Sequence, residues 1–422
     1  MNTLLYVAEA LVIAYLMKHV AFRLKLPSVT GYVVGGVLIG GSLLYQLPGG
    51  QVFAERYLFY GEVLEQFGIV TQIALAIIAL YIGIELEWRR LKDLGISIVC
   101  IAFAEAFTAF AVVATGTWLL GASMPFALML GAIASATAPP ATVAVIQQYR
   151  SKGPLTSTIL AVVGIDDAFS LIIFAFILSL TKGSLSGQEF SLATGVVEPV
   201  EEILFSILLG GGLGLLATYF VTDYSDQEDI LFLMGAEILF ISGLASMNHL
   251  SPLLANMAFG AALVNLKPMV KHKIESCFFS LTPVFYALFF IVGGAYFDFS
   301  IFGSIWLISL VYFICRSAGK TAGAYAGAIA GRALPKVRNA IGFSLWPQVG
   351  VGVALALLIQ DEFGAGQFGP EGVQIAQDTM NILLVTTLLT ESIGPFLTKM
   401  SLIKAGEAAE SHVLMGGHKY SE

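Results

Sequence analysis

Charge is what this chain has least of. Only 12% of its 422 residues are Asp, Glu, Lys or Arg, against about 25% in a typical water-soluble domain. No basic face interleaved with aromatics exists to neutralise phosphates, which excludes nucleic-acid binding. Cysteine is scarce as well. Cys100, Cys277 and Cys315 all lie in apolar segments without metal-ligand spacing, so they read as buried free thiols and imply no disulfide framework. His-Glu-x-x-His, Gly-x-Ser-x-Gly and paired-aspartate protease signatures are missing, and neither an enzyme nor a cofactor is expected.

What fills the space is apolar. The chain is 57% hydrophobic, carries 44 glycines and has a mean hydropathy of +0.84. Apolar runs of roughly 20 residues make lipid the solvent for most of it. The net charge of −8 says little, because its distribution matters more than its sum. Windows bounded by charges, Gly/Pro clusters or polar loops predict thirteen transmembrane helices. They cover residues 2–22, 29–47, 67–86, 95–120, 124–146, 155–180, 199–221, 229–247, 250–266, 280–299, 301–332, 338–360 and 373–398. The first is not read as a cleaved signal, since Lys18, Arg23 and Lys25 follow its apolar run rather than precede it.

Basic residues orient these spans. Loops on one side carry Lys18, Arg23 and Lys25; Arg89, Arg90 and Lys92; Arg150 and Lys152; Lys267, Lys271 and Lys273; Arg332, Lys336 and Arg338; and Lys399, Lys404 and Lys419. The opposite side has only Arg56 and Lys182, while Arg316 and Lys320 fall inside a span. This bias predicts a cytoplasmic C-terminus and, with an odd number of spans, an N-terminus outside. The short polar tail after the last span predicts a bare membrane unit.

An ionisable residue deep in the bilayer costs several kcal/mol and is a functional candidate by default. Span 6 holds adjacent acids, Asp166 and Asp167, about twelve residues or roughly 18 Å from its cytoplasmic end. Lys320 in span 11 lies at the same depth, so a carboxylate–ammonium pair is geometrically open. Two spans interrupt themselves at this level. Span 5 contains Ser135, Thr137, Ala138, Pro139, Pro140 and Thr142, and consecutive prolines predict unwinding near Thr137–Ala138. Span 12 contains Pro347, Gln348 and Gly350. Interrupted helices in corresponding places of two halves point to an inverted-repeat transporter with a midplane site. Spans 1–6 and 8–13 would be the repeats, span 7 the link. The fold class expected is therefore an all-α polytopic membrane protein with crossed broken helices. Gly319, Gly323, Gly327 and Gly331 form a stripe that would press span 11 against its neighbours and the crossing.

At Gly164-Ile165-Asp166-Asp167, with Thr137-Ala138-Pro139-Pro140 upstream and Gly319-Lys320 downstream, the chain resembles the cation–proton antiporter superfamily. Within it the chain is similar to the bacterial sodium/proton antiporters of the second branch, which have thirteen helices; Ser251 to Asn256, opening span 9, belongs to the same resemblance. The resemblance implies that Asp167 binds cation or proton, with Thr137 beside it. It implies that Asp166 replaces the asparagine of electroneutral relatives, and that Lys320 pairs with that acid in electrogenic ones. Arg316 resembles an arginine whose usual glutamate partner is here Val162. Glu105, about ten residues into span 4, lies at a depth to answer Lys320 or Arg316, with a structural ion pair as the expected role.

The resemblance further implies a panel that dimerises (residues 1–94 and 223–300), a moving core (95–181 and 301–399), a linker helix (198–222) and a short tail (400–422). It implies Na⁺, Li⁺ or K⁺ and H⁺ as substrates, a bacterial inner membrane and a homodimer. A potassium-efflux or potassium/proton carrier of the same superfamily is the nearest rival. An organic-anion symporter of similar architecture is disfavoured by a site made of acids. His19, His249 and His272 lie near the two faces, where loop histidines are not assigned a role.

Overall fold

The computed structural model describes residues 3–24, 28–40, 42, 67–88, 95–137, 142–143, 145–146, 149–186, 197–221, 226–278, 282–348 and 350–408. Among the described residues there are fifteen α-helices, two 3-10 turns and no β-strand. The helices are α1 (Thr3–Arg23), α2 (Ser28–Ile39), α3 (Gly68–Glu85), α4 (Ile96–Leu119), α5 (Met124–Ala134), α6 (Pro154–Leu185), α7 (Glu198–Phe220) and α8 (Gln227–Met247). Then follow α9 (Pro252–Leu266), α10 (Val270–Phe278), α11 (Thr282–Ala295), α12 (Phe302–Ala330), α13 (Pro335–Arg338), α14 (Gly350–Phe363) and α15 (Gly369–Lys404).

Helix falls within every apolar window. Among the described residues six helices, α1, α4, α6, α7, α8 and α15, are long and apolar enough to cross a membrane, and α2, α3, α5, α9 and α11 are shorter apolar helices. The boundaries differ in readable ways. α15 runs Gly369–Lys404, beyond the expected 373–398, because its polar first turns continue the helix past the apolar stretch. α10 was not expected: its sequence VKHKIESCF alternates charge with apolar residues, so no hydropathy window detects it. Caps set several starts. The Asp226 carboxylate accepts from the Asp229 amide at 2.8 Å, opening α8. Ser251 accepts from the Leu254 amide at 3.3 Å, opening α9 with Pro252 in its first turn.

The helices sort by contact. α4 and α12 pack on each other most extensively, followed by α7 on α9, α9 on α3 and α2 on α11. The glycine stripe explains the first pair. A Cβ on Gly323 would lie 2.6 Å from the Ala104 carbonyl, and one on Gly319 would lie 2.8 Å from the Ala109 Cα; Gly327 and Gly331 abut Cys100 and Ser97 in the same way. The stripe therefore packs on a neighbouring helix, as expected; that neighbour is α4 rather than the crossing, and the stripe sets α12 against backbone rather than side chains. Outward, α7 exposes Leu204, Phe205, Leu208, Leu215 and Tyr219, an apolar face suited to lipid. The three cysteines are free thiols.

Candidate functional site

α6 carries Asp166 and Asp167 into the protein interior, the first fully buried and the second 6% exposed. α12 brings Lys320, also fully buried, to meet them. The Lys320 Nζ lies 3.1 Å from Asp166 Oδ2 and 2.6 Å from Glu105 Oε2 on α4. It also donates to the Thr137 hydroxyl at 2.7 Å and to the Ser135 carbonyl. An ammonium has three N–H donors, so four acceptors compete for them. Of the two bases open to Glu105, Lys320 is the one it pairs with.

Asp167 is different. Its Oδ1 is buried without a hydrogen-bond partner, and the Tyr286 phenol of α11 lies within electrostatic range of the carboxylate. Asp166 is bound to Lys320 through Oδ2, and Oδ1 of each acid lacks a hydrogen-bond partner; Asp167 differs in having no ion pair among the described residues. A buried acceptor left open is costly unless a proton or cation answers it.

Both interruptions converge here. α5 ends at Ala134, a turn earlier than the expected Thr137–Ala138, because the Ser135 hydroxyl donates to the Ala132 carbonyl at 2.6 Å and the next carbonyls turn to cationic side chains. Arg316, fully buried one turn from Lys320, donates through Nη2 to the Ala136 carbonyl at 2.7 Å and through Nη1 to the Trp346 carbonyl at 2.6 Å. In span 12, a 3-10 turn over Ile341–Leu345 gives way to irregular backbone at Trp346, Pro347 and Gln348 before α14 begins at Gly350. Gln348 Nε2 donates to the Ile133 carbonyl at 2.8 Å, and the Thr142 hydroxyl donates to the Ser344 carbonyl at 3.0 Å. Side chains of each broken segment therefore satisfy carbonyls of the other, and Arg316 and Lys320 meet the negative ends of the half-helices. Ala138, Pro139 and Pro140 lie outside the described residues.

Several contributors were not anticipated. Tyr286 and Tyr312 carry no sequence signal beyond being aromatic; the Tyr312 hydroxyl lies 2.9 Å from Gln348 Nε2. Glu391 on α15 is fully buried and is an ionisable residue inside an apolar window, the same signal that singled out Asp166. Glu407 follows α15 and caps α6 from a distance: its carboxylate accepts from the Leu155 amide at 2.8 Å and from the Thr156 amide at 2.7 Å. Among the described residues no three His, Cys, Asp or Glu side chains gather as a resident metal site.

A helical membrane protein with a buried acid–lysine cluster between two interrupted helices has the architecture of a secondary transporter. The chain belongs to the sodium/hydrogen exchanger family, within the cation/proton antiporters: the family model described as "Sodium/hydrogen exchanger, transmembrane" matches residues 9–404. It is similar to the ammonium/H⁺ antiporter subunit AmhT of Alkalihalophilus pseudofirmus, 24% identical over 69% of each chain. It is equally similar to the high-affinity Na⁺/H⁺ antiporter NhaS3 of Synechocystis, 24% identical over 67% of this chain and 66% of that one. The K⁺/H⁺ antiporter subunit KhtU of Bacillus subtilis is 23% identical over 77% of this chain and 78% of its own. In fold, the chain matches the sodium proton antiporter MjNhaP1 of Methanocaldococcus jannaschii with a TM-score of 0.74, at 20% identity, over 96% of this chain and 98% of that one.

Proposed function

We propose that this protein exchanges protons for a monovalent cation, Na⁺ first among Na⁺, Li⁺ and K⁺, at Asp166 and Asp167. One observation carries the reading: two adjacent buried acids each keep Oδ1 without a hydrogen-bond partner, and only Asp166 of the two is ion-paired to Lys320. Sodium prefers oxygen ligands, and Asp167, Asp166, the Thr137 hydroxyl and carbonyls near Ala138 supply them; water completes the shell. Proton and cation compete for one site, and competition alone couples their fluxes. The loaded or protonated site crosses; the empty, doubly charged one does not, because bare charge in the barrier is too costly.

In this reading transport is electrogenic, with two protons against one sodium ion, since Asp166 and Lys320 form the second exchangeable pair. Thirteen crossings in two inverted repeats, a core of residues 95–181 and 301–399 moving against a dimerising panel, an outside N-terminus and a cytoplasmic C-terminus in a bacterial inner membrane complete the proposal. The test is dequenching of a pH-sensitive dye in everted vesicles on separate addition of Na⁺, Li⁺ and K⁺. Na⁺ and Li⁺ should dequench. A response to K⁺ alone moves the protein to potassium/proton exchange, and no response to any cation sinks the reading.

A further inference from the structure

Glu391 has no part in the exchange described above, yet it is fully buried and neither of its carboxylate oxygens has a hydrogen-bond partner. It sits on the face of α15 that seats the second interruption. One turn before it, the Thr387 hydroxyl donates to the Gln348 carbonyl at 2.9 Å. Almost one turn after it, Gly394 lies against the Pro347 ring, where a Cβ would be 2.7 Å from the ring Cγ. Glu391 lies near the Thr30 hydroxyl of α2 and the Gln348 main-chain amide of the interrupted segment, within electrostatic range of Arg316 on α12 but not ion-paired to it. The Thr30 hydroxyl and the Arg316 Nε are themselves buried without partners. Three unsatisfied polar groups from three separate elements thus lie in one neighbourhood without bonding one another.

A buried carboxylate so placed is costly as a bare anion. Two states relieve the cost. Protonated, its O–H donates to the Thr30 hydroxyl and its carbonyl accepts from the Gln348 amide. Ionised, it accepts from Arg316 Nε–H, the one guanidinium nitrogen site left over once Nη1 and Nη2 hold the Trp346 and Ala136 carbonyls. We propose that Glu391 is a second proton-binding site of this protein, separate from Asp166 and Asp167, that takes a proton from water and returns it while switching between Thr30 and Arg316. The proton enters and leaves as H⁺, and nothing else is transferred. Because Arg316 ties both interruptions, the occupancy of Glu391 is felt at the crossing, and because Thr30 belongs to α2, it is felt at the contact between α2 and α15.

The experiment is an infrared pH titration of the reconstituted full chain, following carbonyl stretches of protonated carboxyl groups. A band that disappears as pH rises should be present in the wild type, retained in the Asp166→Asn/Asp167→Asn double variant and absent in Glu391→Gln. Retention in the double variant separates this site from the exchange site, so failure of either proposal is visible without the other. If Glu391→Gln does not fold, Thr30→Val keeps the acid and removes its hydroxyl partner, and the band's midpoint should then move by about tenfold in proton affinity, one pH unit. An identical titrating band in Glu391→Gln, a wild-type band that persists at every pH, or an unmoved midpoint in Thr30→Val overturns the proposal.

Discussion

Glu105 Oε2 stands 2.6 Å from Lys320 Nζ, closer than Asp166 Oδ2 at 3.1 Å. The lysine is therefore not left alone when Asp166 turns to another partner. Buried ion pairs of this kind are costly to break from one side, by about 3–5 kcal/mol, because the survivor keeps an uncompensated charge. Glu105→Gln leaves Asp166 to compensate Lys320, so it should lower thermal stability by less than that order. A melting curve of the purified variant checks it, and an unchanged melting point would show that the Glu105 charge is irrelevant to the core.

Lys320→Gln removes the ammonium that Asp166, Glu105, Thr137 and Ser135 share. In the electrogenic reading, exchange driven by membrane voltage should fall at least about tenfold, equivalent to about 1.4 kcal/mol of lost coupling. Vesicles with an imposed potential and no pH gradient measure this directly. Full voltage-driven transport in the variant would leave Lys320 with a structural role.

Asp167→Asn keeps the shape of the side chain and removes its charge. Exchange should fall to background in the dye assay, because an amide provides only one oxygen and cannot carry the exchanged proton. Residual sodium flux driven by a pH gradient contradicts the assignment of Asp167.

The fold was legible from apolar windows and the placement of basic loops, because span-length hydropathy is a strong one-dimensional signal. Equal depth made a pair between Lys320 and one of the two acids legible, and the resemblance pointed to Asp166, which the structure pairs with it. Glu105 was legible as a partner for a base, but not which base, since choosing Lys320 over Arg316 depends on how α4 rotates against the glycine stripe. The early end of α5 was not legible. Pro139 and Pro140 suggested a break beside them, whereas the carbonyls of Ser135 and Ala136 are drawn off the helix by side chains from α12, nearly two hundred residues away in sequence. Glu391 was visible as an acid inside an apolar window; its neighbours Thr30 and Arg316 come from opposite ends of the chain. α10 was hidden because its amphipathic pattern is too polar for a hydropathy window.

Gly323→Leu should separate α12 from α4. A Cβ already approaches the Ala104 carbonyl to 2.6 Å and the Thr108 Cβ to 2.8 Å, and backbone cannot yield as a flexible side chain does. Overpacking of this kind costs about 1–3 kcal/mol, and the strain falls on the helix that bears Lys320. The variant should lose both melting temperature and exchange rate, whereas Gly303→Leu, on the same helix with open space at its Cβ, should lose neither.

Glu407→Ala should release the first turn of α6. Gly153 precedes that helix and has no side chain to cap it, so the Leu155 and Thr156 amides depend on the Glu407 carboxylate. Loss of a cap costs about 1 kcal/mol. Amide hydrogen exchange at Leu155 and Thr156 should quicken severalfold in the variant; unchanged protection there would mean that water replaces the carboxylate at no cost.

The two cations of α12 have a mechanical consequence. Arg316 grips the Ala136 and Trp346 carbonyls and Lys320 grips Ser135, all from one unbroken rod. Neither loose end can slip past the other without shearing a charge off its carbonyl in a medium that offers no replacement. In the proposed exchange the knot would travel whole, like a bead fixed on a wire, and the freedom that lets ions alternate between two waters would be sought where that wire slides against the rest of the molecule.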